Sequence, residues 1–180
     1  MKLCITGYRP VKLPSKYGYD IHNKAWEDLK RAFLDVSLFL YGKDHTLSIY
    51  TGMALGVDQA FAEEAFYLRS LLPSVSCIAA IPCHNQESKW PVPSREQYHK
   101  ILEQCDKAIY VTQGRFTPDC MELRNRWMVD RSDIVVAVYD GKRGGTKNCI
   151  DYARKNNKPV IAIHPEHLQI TSDIDPWRLV

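Results

Sequence analysis

No stretch of this chain approaches the roughly 20 consecutive apolar residues that span a bilayer. The opening Met1-Lys-Leu-Cys-Ile-Thr-Gly7 enters a strand too soon for a signal peptide, so a cytoplasmic protein without a membrane partner is expected. Neither a low-complexity tract nor an internal repeat is present. The formal net charge is only +3, so any nucleic-acid groove would have to arise from local clustering of cations. There is no C-x-x-C pair. The six cysteines, at 4, 77, 83, 105, 120 and 149, fall mostly within strand-like and helix-like runs, and are read as reduced structural thiols. Cys83-His84 is the only adjacent pair of metal-ligand types, short of the four ligands that zinc usually takes, and no metal is expected. No G-x-G-x-x-G follows the first strand, which removes the standard dinucleotide fingerprint.

What the chain does contain is one domain's worth of sequence: 180 residues, 45% apolar and 25% charged. Its most informative stretch is Ser132 to Ala153. Ile134 to Val138 is an unbroken β-branched and small apolar run, suited to a central parallel strand buried on both faces. Gly144 and Gly145 then let a ligand approach the backbone, and Thr146 can cap a helix whose first N–H groups face outward. Lys142, Arg143 and Lys147 surround the same turn. The outline is that of a phosphate cradle, although strand-to-helix turns in general favour Gly and Thr.

Along the rest of the chain, strand and helix alternate about six times. Lys2 to Thr6 opens into Gly7-Tyr-Arg-Pro10, and a helical pattern runs from His22 to about Leu40, with Trp26 in the core and Tyr17 and Tyr19 at the rim. Leu47 to Thr51 leads into Gly52-Met-Ala-Leu-Gly-Val-Asp58 and a helix to about Leu71. Asp58, in a first helical turn, reads as a cap or as an acceptor for ribose hydroxyls. Val75 to Ile81 is followed by an irregular stretch from Cys83 to Pro93, in which Trp90 packs the loop down, and by a helix from Arg95 capped by Ser94. Strands at Ala108 to Val111 and Pro159 to Ile163, with helices at about 119–131 and 147–156, complete the pattern. The tail, with Pro176 and Trp177, has no periodicity. The expected fold is therefore α/β: a three-layer, Rossmann-like parallel sheet with helices on both faces. Ligands of such sheets sit beyond the carboxyl ends of the strands, where the glycine turns can converge on one crevice.

Three segments together strongly resemble the YpsA branch of the SLOG superfamily. They are Ile5-Thr-Gly-Tyr-Arg-Pro10, Thr51-Gly-Met-Ala-Leu-Gly-Val-Asp58, and Arg124-Asn-Arg-Trp-Met-Val-Asp-Arg-Ser-Asp133 followed by Tyr139-Asp-Gly-Lys-Arg-Gly-Gly-Thr146. This Rossmann-like group also includes the LOG phosphoribohydrolases and the DprA (Smf) proteins. The resemblance runs from residue 1 to about 164, leaving 165–180 as a C-terminal tail, and suggests a bacterial or prophage member. It implies a single domain over 1–180, a nucleotide-related small-molecule ligand and, as in relatives, self-association into a homo-oligomer. It identifies as ligand-binding Gly7, Tyr8, Arg9, Thr51, Gly52, Met53, Gly56, Asp58, Asp140, Gly141, Gly144, Gly145, Thr146 and Lys147.

The LOG enzymes place an Arg four residues before a Met and a Glu three residues after a Gly-Thr pair. Arg124 and Met128 match the first half, but Cys149 stands where the Glu would be. A thiol neither stabilises an oxocarbenium-like centre nor positions water well. The binding site thus transfers better than the catalysis; Asp130 and Asp140 remain as acids at the crevice, Asp140 at a strand end being the better candidate, and Arg124 with Asp140 is the candidate catalytic pair. Three functions follow as expectations: a nucleotide or ADP-ribose sensor or sequestering protein, without a further cofactor; a nucleotide N-glycosidase using a rearranged acid, Asp140 or Asp58; and, least favoured by the small net charge, a single-strand DNA binder.

Overall fold

The computed structural model describes residues 1–174. Seven strands form one sheet in the order β4-β3-β2-β1-β5-β6-β7. They are β1 (Lys2–Thr6), β2 (Leu47–Thr51), β3 (Val75–Ile81), β4 (Lys107–Tyr110), β5 (Ile134–Val138), β6 (Val160–Ile163) and β7 (Ile170–Ser172). All pairings are parallel except β6 with β7. The helices are α1 (Lys24–Asp44), α2 (Val57–Leu71), α3 (Val92–Gln104), α4 (Cys120–Asp130) and α5 (Gly145–Lys155). The α/β, Rossmann-like expectation is met. None of these helices is long and apolar enough to cross a membrane.

Alternation along the strands divides the core into two layers. Leu3, Ile5, Ile49, Val136 and Val138 face α1, α2 and α3, where Phe33 and Phe61 stack with ring centroids 4.1 Å apart. Cys4, Val135 and Ala137 face α4 and α5, against Met128, Cys149 and Ile150. All five residues of β5 are buried, as a central parallel strand requires. Because the chain leaves β1 toward β2 but returns from β4 to β5 on the other side of β1, the connections diverge at the carboxyl ends of β1 and β5. That divergence opens a crevice.

Several local expectations are corrected. Tyr17 is fully buried: its ring meets Trp26 edge-on at 4.9 Å, its hydroxyl donates to the carbonyl of Pro165, and its own carbonyl accepts from Trp26 Nε1 at 2.8 Å. Tyr19 does lie at the surface. Helix α1 starts at Lys24, where Asn23 accepts from the N–H groups of Ala25 and Trp26, and runs four residues past Leu40. Helix α3 starts at Val92. Prolines at 91 and 93 suit a first turn because their fixed φ is helical or extended and their missing N–H removes no intrahelical bond, so Ser94 lies inside the helix and caps nothing. The tail contributes β7, too short at three residues to leave a periodic trace. Asp173 fastens it, accepting from the Arg154 guanidinium at 2.8 and 2.9 Å and from the N–H of Val160 at 3.2 Å. Pro176 and Trp177 lie outside the described residues.

Candidate functional site

The turn after β1 is built by close approach to α2. A Cβ on Gly7 would stand 2.4 Å from the Val57 side chain, and one on Gly56, at φ +92°, would stand 2.8 Å from the carbonyl oxygen of Tyr8. Only glycine permits that contact, which holds Tyr8, Arg9 and Pro10 over the start of α2. The second glycine turn is wired internally. Thr51 Oγ1 donates to the carbonyl of Asp58 at 2.8 Å and accepts from the N–H of Met53 at 3.2 Å. Met53 is buried at φ +57°, and the N–H of Ala54 donates to Asp58 Oδ2 at 3.2 Å. Thr51, Met53 and Gly56 therefore hold the loop in shape, while Asp58 and Ala54 reach the crevice.

Arg124, on the second turn of α4, is the central side chain. It is only 5% exposed, and its Nη1 lies 3.5 Å from Asp58 Oδ2. Its Nε and Nη1 are buried with no hydrogen-bond partner among the described residues. Its guanidinium lies against Gly52, where a Cβ would fall 1.3 Å from Nη1. Burial pushes the Asp58 carboxyl above its ordinary value, and the Arg124 charge and the Ala54 N–H only partly offset that rise. The Asp58 carboxylate is thus engaged with α4 and its own loop.

After β5, Gly144 occupies the cap position of α5 at φ +146° and offers no side-chain cap. Thr146 lies inside the first turn, so the expectation that it caps the helix is corrected. The leading N–H groups of α5 are left for an external acceptor. Asp140 sits beside this turn. It accepts from the Tyr8 hydroxyl at 2.7 Å and from the N–H of Lys142 at 3.2 Å, and it pairs with the Lys142 ammonium at 2.5 Å. Burial pushes the Asp140 carboxyl up, but these three donors outweigh it and hold the group below the ordinary carboxylate range. Asp140 is consequently a carboxylate that locks the β1 and β5 turns together. Gly141 takes φ +93° within that turn, and Lys147 pairs with Asp151 one helical turn along.

These elements enclose a cleft of about 280 Å³. Of the residues expected from sequence, Gly7, Tyr8, Arg9, Asp58, Arg124, Gly145 and Thr146 line it; Gly52 lies beneath Arg124, and Gly144 stands next to Lys12. Thr51, Met53, Gly56, Asp140, Gly141 and Lys147 support or flank it without forming its wall. Sequence reasoning missed Thr6, Lys12, Ala54, Met121 and Asn125. Met121 and Asn125 had a legible signal, lying one helical turn and one residue from Arg124. Lys12 had none, because the short 3-10 turn Pro10–Lys12 that swings it inward follows no hydrophobic period. Three cations, Arg9, Lys12 and Arg124, thus face one carboxylate, Asp58. The arrangement can hold an anion and fix its orientation through the α5 N–H groups.

Comparison with known proteins places the chain among a family, two relatives and two solved structures. The YpsA family model, described as the YspA SLOG family, matches residues 3–168. The uncharacterised SPbeta prophage-derived protein YoqJ of Bacillus subtilis is 33% identical over 151 residues, covering 77% of this chain and 88% of the relative. The UPF0398 protein YpsA of the same organism is 27% identical over 181 residues, covering 97% and 98%. Among solved structures, DNA processing protein A from Helicobacter pylori, described for its single-stranded DNA binding mode, aligns with a TM-score of 0.59 at 22% identity. The alignment covers 90% of this chain but 64% of that one. The Streptococcus pneumoniae protein of the same name also gives 0.59, at 17% identity, over 93% of this chain and 52% of its own. These two likenesses concern the fold.

Proposed function

Because the chain belongs to the YspA SLOG family, we propose that its crevice at the carboxyl ends of β1 and β5 binds a nucleotide or an ADP-ribose-like molecule through its phosphate. The role is that of a sensor or sequestering protein. The observation that carries this reading is Arg124: a buried guanidinium at the cleft wall with Nε and Nη1 unpartnered among the described residues. A buried charge with unmet hydrogen bonds is costly unless something completes it. A phosphoryl group suits a guanidinium held at a cleft wall, since an edge of the guanidinium that includes Nη2 binds phosphate in a planar, two-pronged fashion. Arg9, Lys12 and the uncapped start of α5 converge on the same space.

Catalysis is the weaker alternative. Arg124 can hold a phosphate, but Asp140 is tied to Tyr8 and Lys142, and Asp58 lies against Arg124. Neither is a free acid poised at a glycosidic bond. Single-strand DNA binding is the third reading, motivated by the likeness to DNA processing protein A. A panel of nucleoside mono-, di- and triphosphates, NAD, ADP-ribose and short oligodeoxynucleotides separates the three, read first as thermal stabilisation. The expected result is a selective rise in Tm with a small nucleotide and no release of free base. Stabilisation by oligonucleotides alone, falling steeply with salt, would transfer the assignment to DNA.

A further inference from the structure

Next to the cationic cleft lies a second recess of about 200 Å³, between α4 and α5. Met121, Asn125 and Gly145 border both spaces, so the two adjoin at the first turn of α5. At the seam, a Cβ on Gly145 would meet nothing within 4 Å, so the space over this residue is open. The chemistry of the two spaces differs. The first holds Arg9, Lys12 and Arg124 against Asp58. In the second, the one cation, Arg126, is paired with Glu122 on its own helix. The remaining wall is neutral and suited to a flat polar group. Asn125 and Asn148 each offer an amide donor and acceptor, and Tyr152 offers a ring over which Arg126 already lies at 5.3 Å. Tyr152 is held in place by its hydroxyl, which donates to Asp130 at 2.9 Å.

We infer that this recess between α4 and α5 is the nucleoside subsite: the ligand's phosphate occupies the cationic cleft, the chain passes over Gly145, and its sugar and base enter against Asn148 and Tyr152. The ligand class is then a nucleoside 5′-phosphate or an extension of one, with the neutral end selected by Asn125, Asn148 and Tyr152. This assignment rests on the phosphate reading of the first cleft.

The test uses two probes and one blocking substitution. Inorganic phosphate reports the cationic cleft alone, and the four ribonucleoside 5′-monophosphates report both spaces. Asn148 is exposed on α5, so Asn148→Trp fills the recess without entering the core. Calorimetry in phosphate-free buffer is expected to show at least one monophosphate binding tenfold or more tightly than phosphate. In Asn148→Trp that preference is erased, and the affinity for phosphate stays within twofold. Tyr152→Ala gives an independent loss of the same preference. A wild-type protein with no preference for monophosphates, or an Asn148→Trp protein that keeps it, overturns the subsite while phosphate binding still stands. Failure of phosphate and of every monophosphate to bind removes the cationic-cleft reading, and the subsite with it.

Discussion

Arg124 and Asp58 approach to 3.5 Å in the wall of the cleft with both side chains about 6% exposed, yet Arg124 Nη1 has no hydrogen bond among the described residues. The pair joins α4 to α2 across the carboxyl ends of the strands, and it is an ion pair with capacity to spare. In the proposed binding role, this contact fixes the guanidinium at the cleft wall, and removing either partner would leave the other as an uncompensated buried charge.

Arg124→Met is expected to lose ligand affinity by tenfold or more and to destabilise the fold by roughly 3–5 kcal/mol, as removal of one partner of a buried pair does. The loss depends on pH. Burial raises the Asp58 carboxyl in the folded state, and removing the Arg124 charge raises it further. A raised carboxyl costs stability above its folded pKa and is relieved as pH falls through that value. Denaturant unfolding of Arg124→Met should therefore show a greater loss at pH 8 than at pH 5.

Gly52→Ala places a Cβ 1.3 Å from Arg124 Nη1 and must push the guanidinium aside. Its cost should shrink when Arg124 is already truncated. A double-mutant cycle with Arg124→Ala is expected to give a coupling of about 0.5–3 kcal/mol. Strict additivity would show that Gly52 is not the platform for Arg124.

Gly145→Asp introduces a carboxylate at the start of α5, where the backbone is unstrained and a Cβ meets open space. Stability should change by no more than about 0.5 kcal/mol, as for most surface substitutions. Binding of phosphate-bearing ligands should disappear, a split that paired unfolding and calorimetric titrations would register.

Asp173, held by Arg154 on α5 and by the N–H of Val160, lies below the ordinary carboxylate range. A lowered carboxyl contributes stability above its unfolded pKa and loses it as pH falls through the folded one. Asp173→Asn should flatten the acid limb of the stability curve below about pH 4, the ordinary carboxylate value. It should also speed amide exchange in β6 and β7, with little effect near α4.

The strands, the order of the helices and the positions of the glycine turns were legible in the residues because they depend on local chemistry. An apolar run such as Ile134 to Val138 has few other uses, and a glycine at a strand end announces a turn whatever surrounds it. The three segments that resemble the YpsA branch carried the family for the same reason. Tyr17 was misread because its burial is decided by Trp26 and Pro165, one of them 148 residues distant.

Sequence by itself determined the α/β class, the carboxyl-end crevice and the presence of Arg9, Arg124, Gly145 and Thr146 within it. Tertiary structure decided what each group does there, because burial and pairing arise only where distant segments meet. Asp58 could serve as a cap or a ribose acceptor until α4 brought Arg124 against it; Asp140 was a free acid until Tyr8 and Lys142 closed on it. Lys12 carried no chemical signal until the turn after β1 and the helix α4 faced each other across the start of α5.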